Sequence, residues 1–202
     1  MGAVTDIAVL ASGSGTNLQA LIDAGSRDPG FGARIVVVVS DRPVAPALER
    51  AQAAGIPVEL VEWPGDRDLF TDRICDVVDS HGAHLMVLAG FMRILGISAV
   101  RRFPDRILNI HPSLLPAFPG KDAVRQALEH GVEVTGVTVH LVDEVVDHGP
   151  ILRQEPVRVL PDDTVESLHA RIQETEHRIY PEVVEAMAEG RLQRKGRRVV
   201  WS

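Results

Sequence analysis

The chain has 202 residues, 45% hydrophobic and 24% charged, which is the composition of a globular protein able to bury its own core. Its formal net charge of -7 argues against nucleic acid as a main partner, because surfaces that bind polyanions are basic. With one cysteine, no amino-terminal signal pattern and no apolar run long enough to cross a membrane, the sequence predicts a cytoplasmic protein without an internal disulfide or a membrane partner.

Short β-branched runs alternate with amphipathic segments over the first half of the chain. Strands are predicted at 6–10, 35–39, 58–61, 85–88 and 107–110, and helices at 17–23, 45–54 and 69–79. Alternation of apolar strands with helices is typical of a parallel sheet covered on both faces. Because crossover connections are right-handed, a Rossmann-like core is expected.

After residue 116 the pattern changes from crossover units to a hairpin. A helix predicted over 122–130 is followed by strand-like segments at 134–142 and 151–160, which flank a polar loop. We expect these two strands to add to the sheet in antiparallel orientation. The predicted fold class is therefore α/β, with a mostly parallel sheet, helices on both faces and an antiparallel C-terminal addition.

The C-terminal part of the chain is predicted to contain one long helix. It begins near Thr164, within a capping pattern, and runs toward Gly190 with an interruption or kink near Pro181. The basic run at 191–198 is interpreted as a solvated turn, with a phosphate-binding patch as the alternative. Since no linker or repeat divides the sequence, a single domain over 1–202 is expected, and a homodimer is a working hypothesis.

A glycine-containing loop, Ser12-Gly13-Ser14-Gly15-Thr16-Asn17-Leu18, separates the first strand from the first helix. Backbone N–H groups and the helix dipole favour an anion there, so a phosphate group is the predicted ligand. The dinucleotide fingerprint needs a third glycine where this chain has Leu18. Asp41 stands roughly where a ribose-binding acid would, which keeps an NAD-dependent interpretation open, and a glycine turn without ligand is the other alternative.

An amide and an imidazole stand two residues apart in Asn109-Ile110-His111-Pro112-Ser113-Leu114-Leu115-Pro116. Strand side chains alternate between faces, so Asn109 and His111 point the same way, about 7 Å apart. Pro112 ends the strand at the edge where open α/β sheets bind ligands. The pair is a candidate site, the alternative being that both side chains only satisfy nearby backbone groups.

The loop Asp143-Glu144-Val145-Val146-Asp147-His148-Gly149-Pro150 carries three carboxylates and a histidine. A carboxylate from this loop that reaches His111 would raise the pKa of the imidazole and keep it protonated near neutral pH. A metal site at Asp147 and His148 is not expected, because adjacent residues rarely aim at one ion. The remaining alternative is a solvated loop without a role.

Five ordered segments resemble the glycinamide ribonucleotide formyltransferases of purine biosynthesis, over about residues 8–190. The matching segments are 12–20, Val87-Leu88-Ala89-Gly90-Phe91-Met92-Arg93-Ile94-Leu95, 108–116, Asp147-His148-Gly149-Pro150-Ile151 and Glu176-His177-Arg178-Ile179-Tyr180-Pro181. The resemblance implies transfer of a formyl group from 10-formyltetrahydrofolate, as co-substrate, to the amine of 5'-phosphoribosylglycinamide. One departure is Lys121-Asp122, where many members have a histidine-containing segment, and no role is carried over to it.

The resemblance also implies which residues form the site. Catalysis falls on Asn109, His111 and Asp147; substrate binding on Gly15, Thr16, Asn17 and Glu176; and folate binding on Arg67, Met92, Arg93, Ile94, Leu95 and Asn109, with no metal. His140 and His177 are expected to flank this site.

The implied chemistry gives the catalytic residues definite tasks. Acyl transfer to an amine builds negative charge on the formyl oxygen, so Asn109 and a protonated His111 are expected to donate hydrogen bonds to it. Asp147 is expected to keep His111 charged. Two other classes stay open at this point: an NAD-dependent oxidoreductase and a non-catalytic module that binds a sugar phosphate.

Overall fold

The computed structural model describes residues 4–202, which form nine strands and six helices. The strands are β1 (Thr5–Leu10), β2 (Ala33–Ser40), β3 (Val58–Leu60), β4 (Leu85–Leu88), β5 (Ile107–His111), β6 (Val134–Leu141), β7 (Ile151–Arg158), β8 (Leu192–Lys195) and β9 (Arg198–Trp201). The helices are α1 (Thr16–Arg27), α2 (Pro46–Ala53), α3 (Arg67–Ser80), α4 (Ile97–Arg102), α5 (Ala123–Glu129) and α6 (Val165–Ala188).

Seven strands form one sheet in the order β3-β2-β1-β4-β5-β6-β7. The pairs from β3 to β5 are parallel, whereas β6 is antiparallel to both β5 and β7. This is the predicted fold class: a mostly parallel, Rossmann-like sheet with an antiparallel addition. The prediction is confirmed.

The core lies on both faces of this sheet. Ile7 and Val9 of β1 pack in the cluster that includes α1 and α6, whereas Ala8 and Leu10 pack in the cluster that includes α3 and α4. Because successive strand side chains point to opposite faces, a strand covered on both sides has to be apolar throughout. The four residues are fully buried, which explains why β1 reads as a continuous apolar run.

Helix α6 begins at a capping box, in which the Thr164 side chain accepts from the Ser167 N–H and the Ser167 side chain accepts from the Thr164 N–H. It continues through Pro181 as one 24-residue helix, so the predicted interruption is wrong. Pro181 is buried, and apolar packing around it offsets the backbone hydrogen bond that proline removes. In the described part of the chain, even this longest helix lacks the apolar character of a membrane span.

Two features depart from the sequence prediction. Helix α4 was not predicted, because six residues are too few to show a helical period. The basic run at 191–198 is mostly strand: β8 and β9 pair as a two-stranded sheet, and the predicted turn is confined to Gly196 and Arg197. Gly196 has a φ of 66°, which suits the first central position of a two-residue hairpin turn.

Tyr180 joins α6 to the middle of the sheet. Its buried hydroxyl donates to the carbonyl oxygens of Leu88, at 2.8 Å, and Leu108, at 3.3 Å. We expect Tyr180→Phe to lower the free energy of unfolding by about 1 to 2 kcal/mol, the worth of a buried hydroxyl's hydrogen bonds. Urea unfolding at equilibrium measures this, and an unchanged midpoint would contradict a stabilising role for the hydroxyl.

Candidate active site

A cleft of about 640 Å³ opens at the carboxyl ends of the central strands. It is lined by the end of β5, the segment after β4, the segment around Gly120 and the loop between β6 and β7, and its walls include Met92, Arg93, Ile94, Leu95, Asn109, His111, His140 and Asp147. The cleft therefore brings together the predicted catalytic trio and five of the six predicted folate-binding residues, Asn109 belonging to both groups.

Strand β5 extends past its parallel neighbour. The pairing between β4 and β5 ends at Leu88 opposite Asn109, and β5 continues to His111. On the other side, Asn109 lies opposite His140 and His111 lies opposite Thr138 of β6. Asn109, at the end of β4, and His111, beyond it, both face the cleft, as expected for residues two apart on a strand.

The carboxylate of Asp147 lies between these side chains. Its Oδ2 accepts from the Gly120 N–H at 2.7 Å and lies 3.4 Å from Nδ1 of His111. Its Oδ1 lies 3.4 Å from Nδ2 of Asn109 and 3.6 Å from Nε2 of His140. The contact that the sequence predicted between the acidic loop and His111 is thus present.

Asp147 is held as a carboxylate. Burial is the strongest influence and opposes ionisation, but the contact with His140 and the hydrogen bond from the Gly120 N–H, with a further contribution from His111 whenever that ring is protonated, outweigh it. The pKa of Asp147 therefore lies below its ordinary value. Among residues 4–202, no group of three or more histidine, cysteine or acidic side chains is arranged to hold a metal ion.

His111 differs from the expectation in its charge state. Its ring is buried, and this burial lowers the pKa of the imidazole more than the Phe118 carbonyl and the Asp147 carboxylate raise it. Asp147 acts in the predicted direction, but the net direction is opposite to the prediction. The pKa of His111 thus lies below its ordinary value, which favours the neutral imidazole.

The hydrogen bonds of His111 assign its tautomer. Nε2 lies 2.8 Å from the carbonyl oxygen of Phe118, which can only accept, so Nε2 carries the proton. In the neutral ring, Nδ1 is therefore an unprotonated nitrogen that faces Asp147 and the cleft. This nitrogen can accept a proton, and the carboxylate beside it would stabilise the resulting imidazolium.

His140 is more closely involved than the sequence indicated. It is 1% exposed, its Nδ1 donates to the Leu141 carbonyl at 2.8 Å, and its Nε2 lies 3.2 Å from Nδ2 of Asn109. With the proton on Nδ1, Nε2 accepts from the Asn109 amide and sets which way that amide points. The antiparallel register of β5 and β6 creates this contact, which the spacing of the two residues in the sequence does not reveal.

The glycine loop forms a second group of predicted residues. Asn17 donates from Nδ2 to Oε2 of Glu176 at 2.8 Å, and both residues are buried. Gln173 of α6 reaches the hydroxyl of Thr16 at 3.5 Å. Burial raises the pKa of Glu176, and the hydrogen bond from Asn17 opposes this. The structure thus places Thr16, Asn17 and Glu176 together, with Oδ1 of Asn17 buried and without a partner among residues 4–202.

Helix α2 fixes the shape of this loop. Gly15 has a φ of 71°, and a Cβ atom there would lie 2.7 Å from Cα of Ala47. The Ala47 N–H donates to the Gly13 carbonyl, and the Arg50 side chain donates to the Ser14 carbonyl at 2.8 Å. Arg50 thereby brings a positive charge to the loop, a contribution that sequence reasoning missed because Arg50 lies 36 residues away from Ser14.

The segment after β4 exposes apolar side chains to the cleft. Met92 and Ile94 are 58% and 56% exposed, so this segment does more than fill the core. Arg93 donates to the Asp41 carboxylate at 2.8 Å and stacks over the Trp63 ring. The Asp41 side chain is fully buried against Arg93, so it is not available to bind a ribose. The NAD-dependent interpretation therefore lacks the ribose-binding acid that it requires.

One further prediction and one departure from the family pattern concern the rim. Arg67 begins α3 and does not line the cleft; its side chain is 59% exposed beside Asp68. Its folate-binding role stays a prediction. Lys121 and Asp122, where the sequence departs from the family pattern, do line the cleft, and Asp122 has a left-handed backbone with a φ of 58°.

Comparison with known proteins agrees with this geometry. The sequence profile of the family described as formyl transferase matches residues 5–184. The chain belongs to the formyl transferase family. The family resemblance inferred from the sequence is therefore confirmed, and the match to the family ends before β8 and β9.

Individual members of the formyl transferase family are similar over most of the chain. The phosphoribosylglycinamide formyltransferase of Mycobacterium tuberculosis is 48% identical over 185 residues, covering 90% of this chain and 84% of that protein. The crystal structure of glycinamide ribonucleotide transformylase 1 from Symbiobacterium toebii has a TM-score of 0.95 and 50% identity, covering 100% of this chain and 95% of that one.

Some relatives are much longer. The trifunctional purine biosynthetic protein adenosine-3 of Bos taurus is 45% identical over 199 residues, which is 96% of this chain and 20% of that protein. The chain thus spans about a fifth of the length of the first curated relatives it matches.

Gly15 is the residue of the glycine loop that tolerates a side chain least. Gly15→Ala places a Cβ against the Ala47 backbone at a positive φ, so we expect it to lower the free energy of unfolding by about 1 to 3 kcal/mol. Gly13→Ala is the matched control, because a Cβ at Gly13 meets nothing within 4 Å. Equal unfolding midpoints for the two variants would contradict the steric argument.

Proposed function

We propose that this protein transfers a formyl group from 10-formyltetrahydrofolate to the amine of 5'-phosphoribosylglycinamide, a step of de novo purine biosynthesis. The observation that carries the proposal is the Asp147 carboxylate within 3.4 Å of both Asn109 and His111, at a cleft of a formyl transferase family member. The names of relatives that the chain largely covers, phosphoribosylglycinamide formyltransferase among them, support the same substrates.

The glycine loop supports binding of the phosphorylated acceptor. Free N–H groups at the start of α1 and the nearby guanidinium of Arg50 favour a phosphate group. The unpartnered Oδ1 of Asn17 and the Glu176 carboxyl are acceptors suited to hydroxyl groups of a sugar. Gly15, Thr16, Asn17 and Glu176 would thus anchor the acceptor and let remote binding energy orient its amine.

The segment Met92, Arg93, Ile94 and Leu95 supports binding of the folate. Exposed apolar side chains along one wall of the cleft suit a flat ring, and backbone groups of the same segment would read its edge. Bound there, 10-formyltetrahydrofolate supplies the formyl group. Arg67 and Arg93 would complete this side as cations suited to carboxylate groups.

The charge state of His111 suggests how the proton moves. As the amine forms its bond to the formyl carbon, neutral His111 accepts the amine proton at Nδ1, and Asp147 stabilises the imidazolium. Asn109 donates from Nδ2 to the formyl oxygen as negative charge builds there. The bond from the formyl carbon to the leaving nitrogen then breaks, and His111 returns its proton to that nitrogen.

Two broader expectations accompany the proposal. The described residues are proposed to act as one formyltransferase domain that works on small molecules in the cytoplasm. A homodimer is retained as a hypothesis, and analytical ultracentrifugation of the purified chain would test it.

One assay separates this function from the two other classes. Purified protein with 5'-phosphoribosylglycinamide and 10-formyltetrahydrofolate should yield formylated acceptor and deformylated folate in equal amounts. A sample without acceptor measures hydrolysis of the folate alone. Binding of the acceptor without turnover would indicate a sugar-phosphate module, and turnover only with NAD would indicate an oxidoreductase.

Asp147→Asn tests the proton-transfer scheme. Loss of the charge that stabilises the imidazolium should lower kcat by about 10²-fold, within the usual range for general acid–base residues. Activity should be present above the pKa of His111 and lost as the pH falls through it. Since the carboxylate raises that pKa, its removal should move the acidic limb of the pH–rate profile to lower pH.

Asp72→Asn on the solvent side of α3 is the matched control, because it removes an exposed carboxylate outside the cleft. It should leave kcat and the pH profile unchanged. A wild-type profile that falls as the pH rises through the neutral range would instead favour a protonated His111 as the active form.

A further inference from the structure

The hairpin of β8 and β9 touches the loop that carries Asp147. At its turn, Arg197 donates from Nη2 to the carbonyl oxygen of His148 at 2.7 Å, and Nη1 lies 3.3 Å from Nε2 of the same histidine. Both contacts are to the residue that follows Asp147 in the chain. The hairpin lies beyond residue 184, so the family match gives it no role.

The hairpin is itself anchored to the body of the protein. Trp201 donates from its indole N–H to the carbonyl oxygen of Leu152 in β7 at 3.1 Å, and the guanidinium of Arg153 lies over its ring. Leu192 and Val199 pack against the apolar core. A short two-residue turn on an anchored hairpin has little freedom to move. Arg197, in this turn, therefore contacts the loop between β6 and β7 from a fixed position.

The ring of His148 connects Arg197 to the rest of the loop. A guanidinium only donates, so Nε2 of His148 accepts and Nδ1 carries the proton. Nδ1 donates to Asp143 at 3.0 Å, and Asp143 also accepts from the Val145 N–H at 2.9 Å. Arg197, His148 and Asp143 thereby form a chain of hydrogen bonds across the outer side of the loop.

The loop needs such support, because Asp147 has a left-handed backbone with a φ of 53°. That conformation is uncommon for residues other than glycine, although aspartate enters it more readily than most, and the contacts around Asp147 help to hold it. The Gly120 N–H holds the side chain of Asp147 from within the cleft, and Arg197 holds the next peptide unit from outside. Gly149 then packs so closely on the Leu141 carbonyl that a Cβ would lie 1.8 Å from the oxygen.

We propose that Arg197 is a positioning residue that keeps Asp147 within reach of Asn109 and His111. It acts through the His148 peptide and touches neither substrate nor the reacting atoms. This inference rests on the proposed function, since the consequence of a displaced Asp147 is measured as formyl transfer.

The test compares Arg197→Ala with Arg198→Ala. Arg198 is the adjacent exposed arginine, and its side chain makes no hydrogen bond or ion pair to any residue between 4 and 202. For Arg197→Ala we expect kcat to fall by about three- to tenfold, the effect of losing one charge-assisted hydrogen bond at a partly exposed site. The KM for 5'-phosphoribosylglycinamide should change by less than about twofold, because the glycine loop does not contact the hairpin.

Two further measurements separate positioning from general stability. Arg197→Lys keeps a donor for the His148 carbonyl without the second contact, and should restore part of the lost kcat. Hydrogen–deuterium exchange of residues 143–149 should be faster in Arg197→Ala than in Arg198→Ala, and this readout needs no turnover.

The outcomes are distinct. Equal exchange of the loop in the two alanine variants would overturn the inference, and so would faster exchange with wild-type kcat. An equal fall of kcat in both variants would indicate a general effect of charge instead of positioning by Arg197. Absence of formyl transfer in the wild-type protein would overturn the proposed function and with it the catalytic consequence assigned to Arg197, whereas the exchange data would still report whether Arg197 holds the loop.

Discussion

Asn109 on β5 lies directly opposite His140 on β6, and the geometry of the site follows from this cross-strand pair. A further parallel strand at this place would have continued the sheet with a crossover helix. The antiparallel strand instead returns the chain through a short loop, which passes over the cleft and delivers Asp147 to the face where Asn109 and His111 already lie. The change of strand direction is thus what allows one buried carboxylate to meet an amide and two imidazoles.

Burial influences the protonation of both Asp147 and His111. Removing charged groups from water is costly, so the cleft holds a carboxylate only where a hydrogen-bond donor such as the Gly120 N–H meets it. The same removal from water lowers the pKa of His111 and favours its neutral form, with the Nε2 proton turned toward Phe118. In this arrangement a neutral His111 lies beside an ionised Asp147. Transfer of one proton to His111 would create an ion pair between the two side chains.

The sequence was informative where local pattern decides structure. The seven strands of the main sheet and their order of appearance could be predicted because runs such as 35–39 are apolar on both faces, whereas β8 and β9, in a basic run, were missed. Asn109 and His111 could be chosen as candidates because strand alternation and family resemblance selected the same positions, and the resemblance singled out Asp147 among the carboxylates of its loop. Contacts made only by tertiary folding could not be foreseen, such as Asn109 with His140 and Arg50 with Ser14. The sign of the His111 pKa shift was missed because it depends on how completely the ring is buried.

The left-handed backbone at Asp147 restricts this position independently of its charge. Asparagine and aspartate enter that conformation more readily than other residues with side chains, whereas glutamate carries the same charge without that tolerance. A change from aspartate to glutamate would therefore have to reshape the loop as well as lengthen the acid. The backbone geometry at Asp147 therefore permits fewer replacements than the chemistry of the side chain alone would permit.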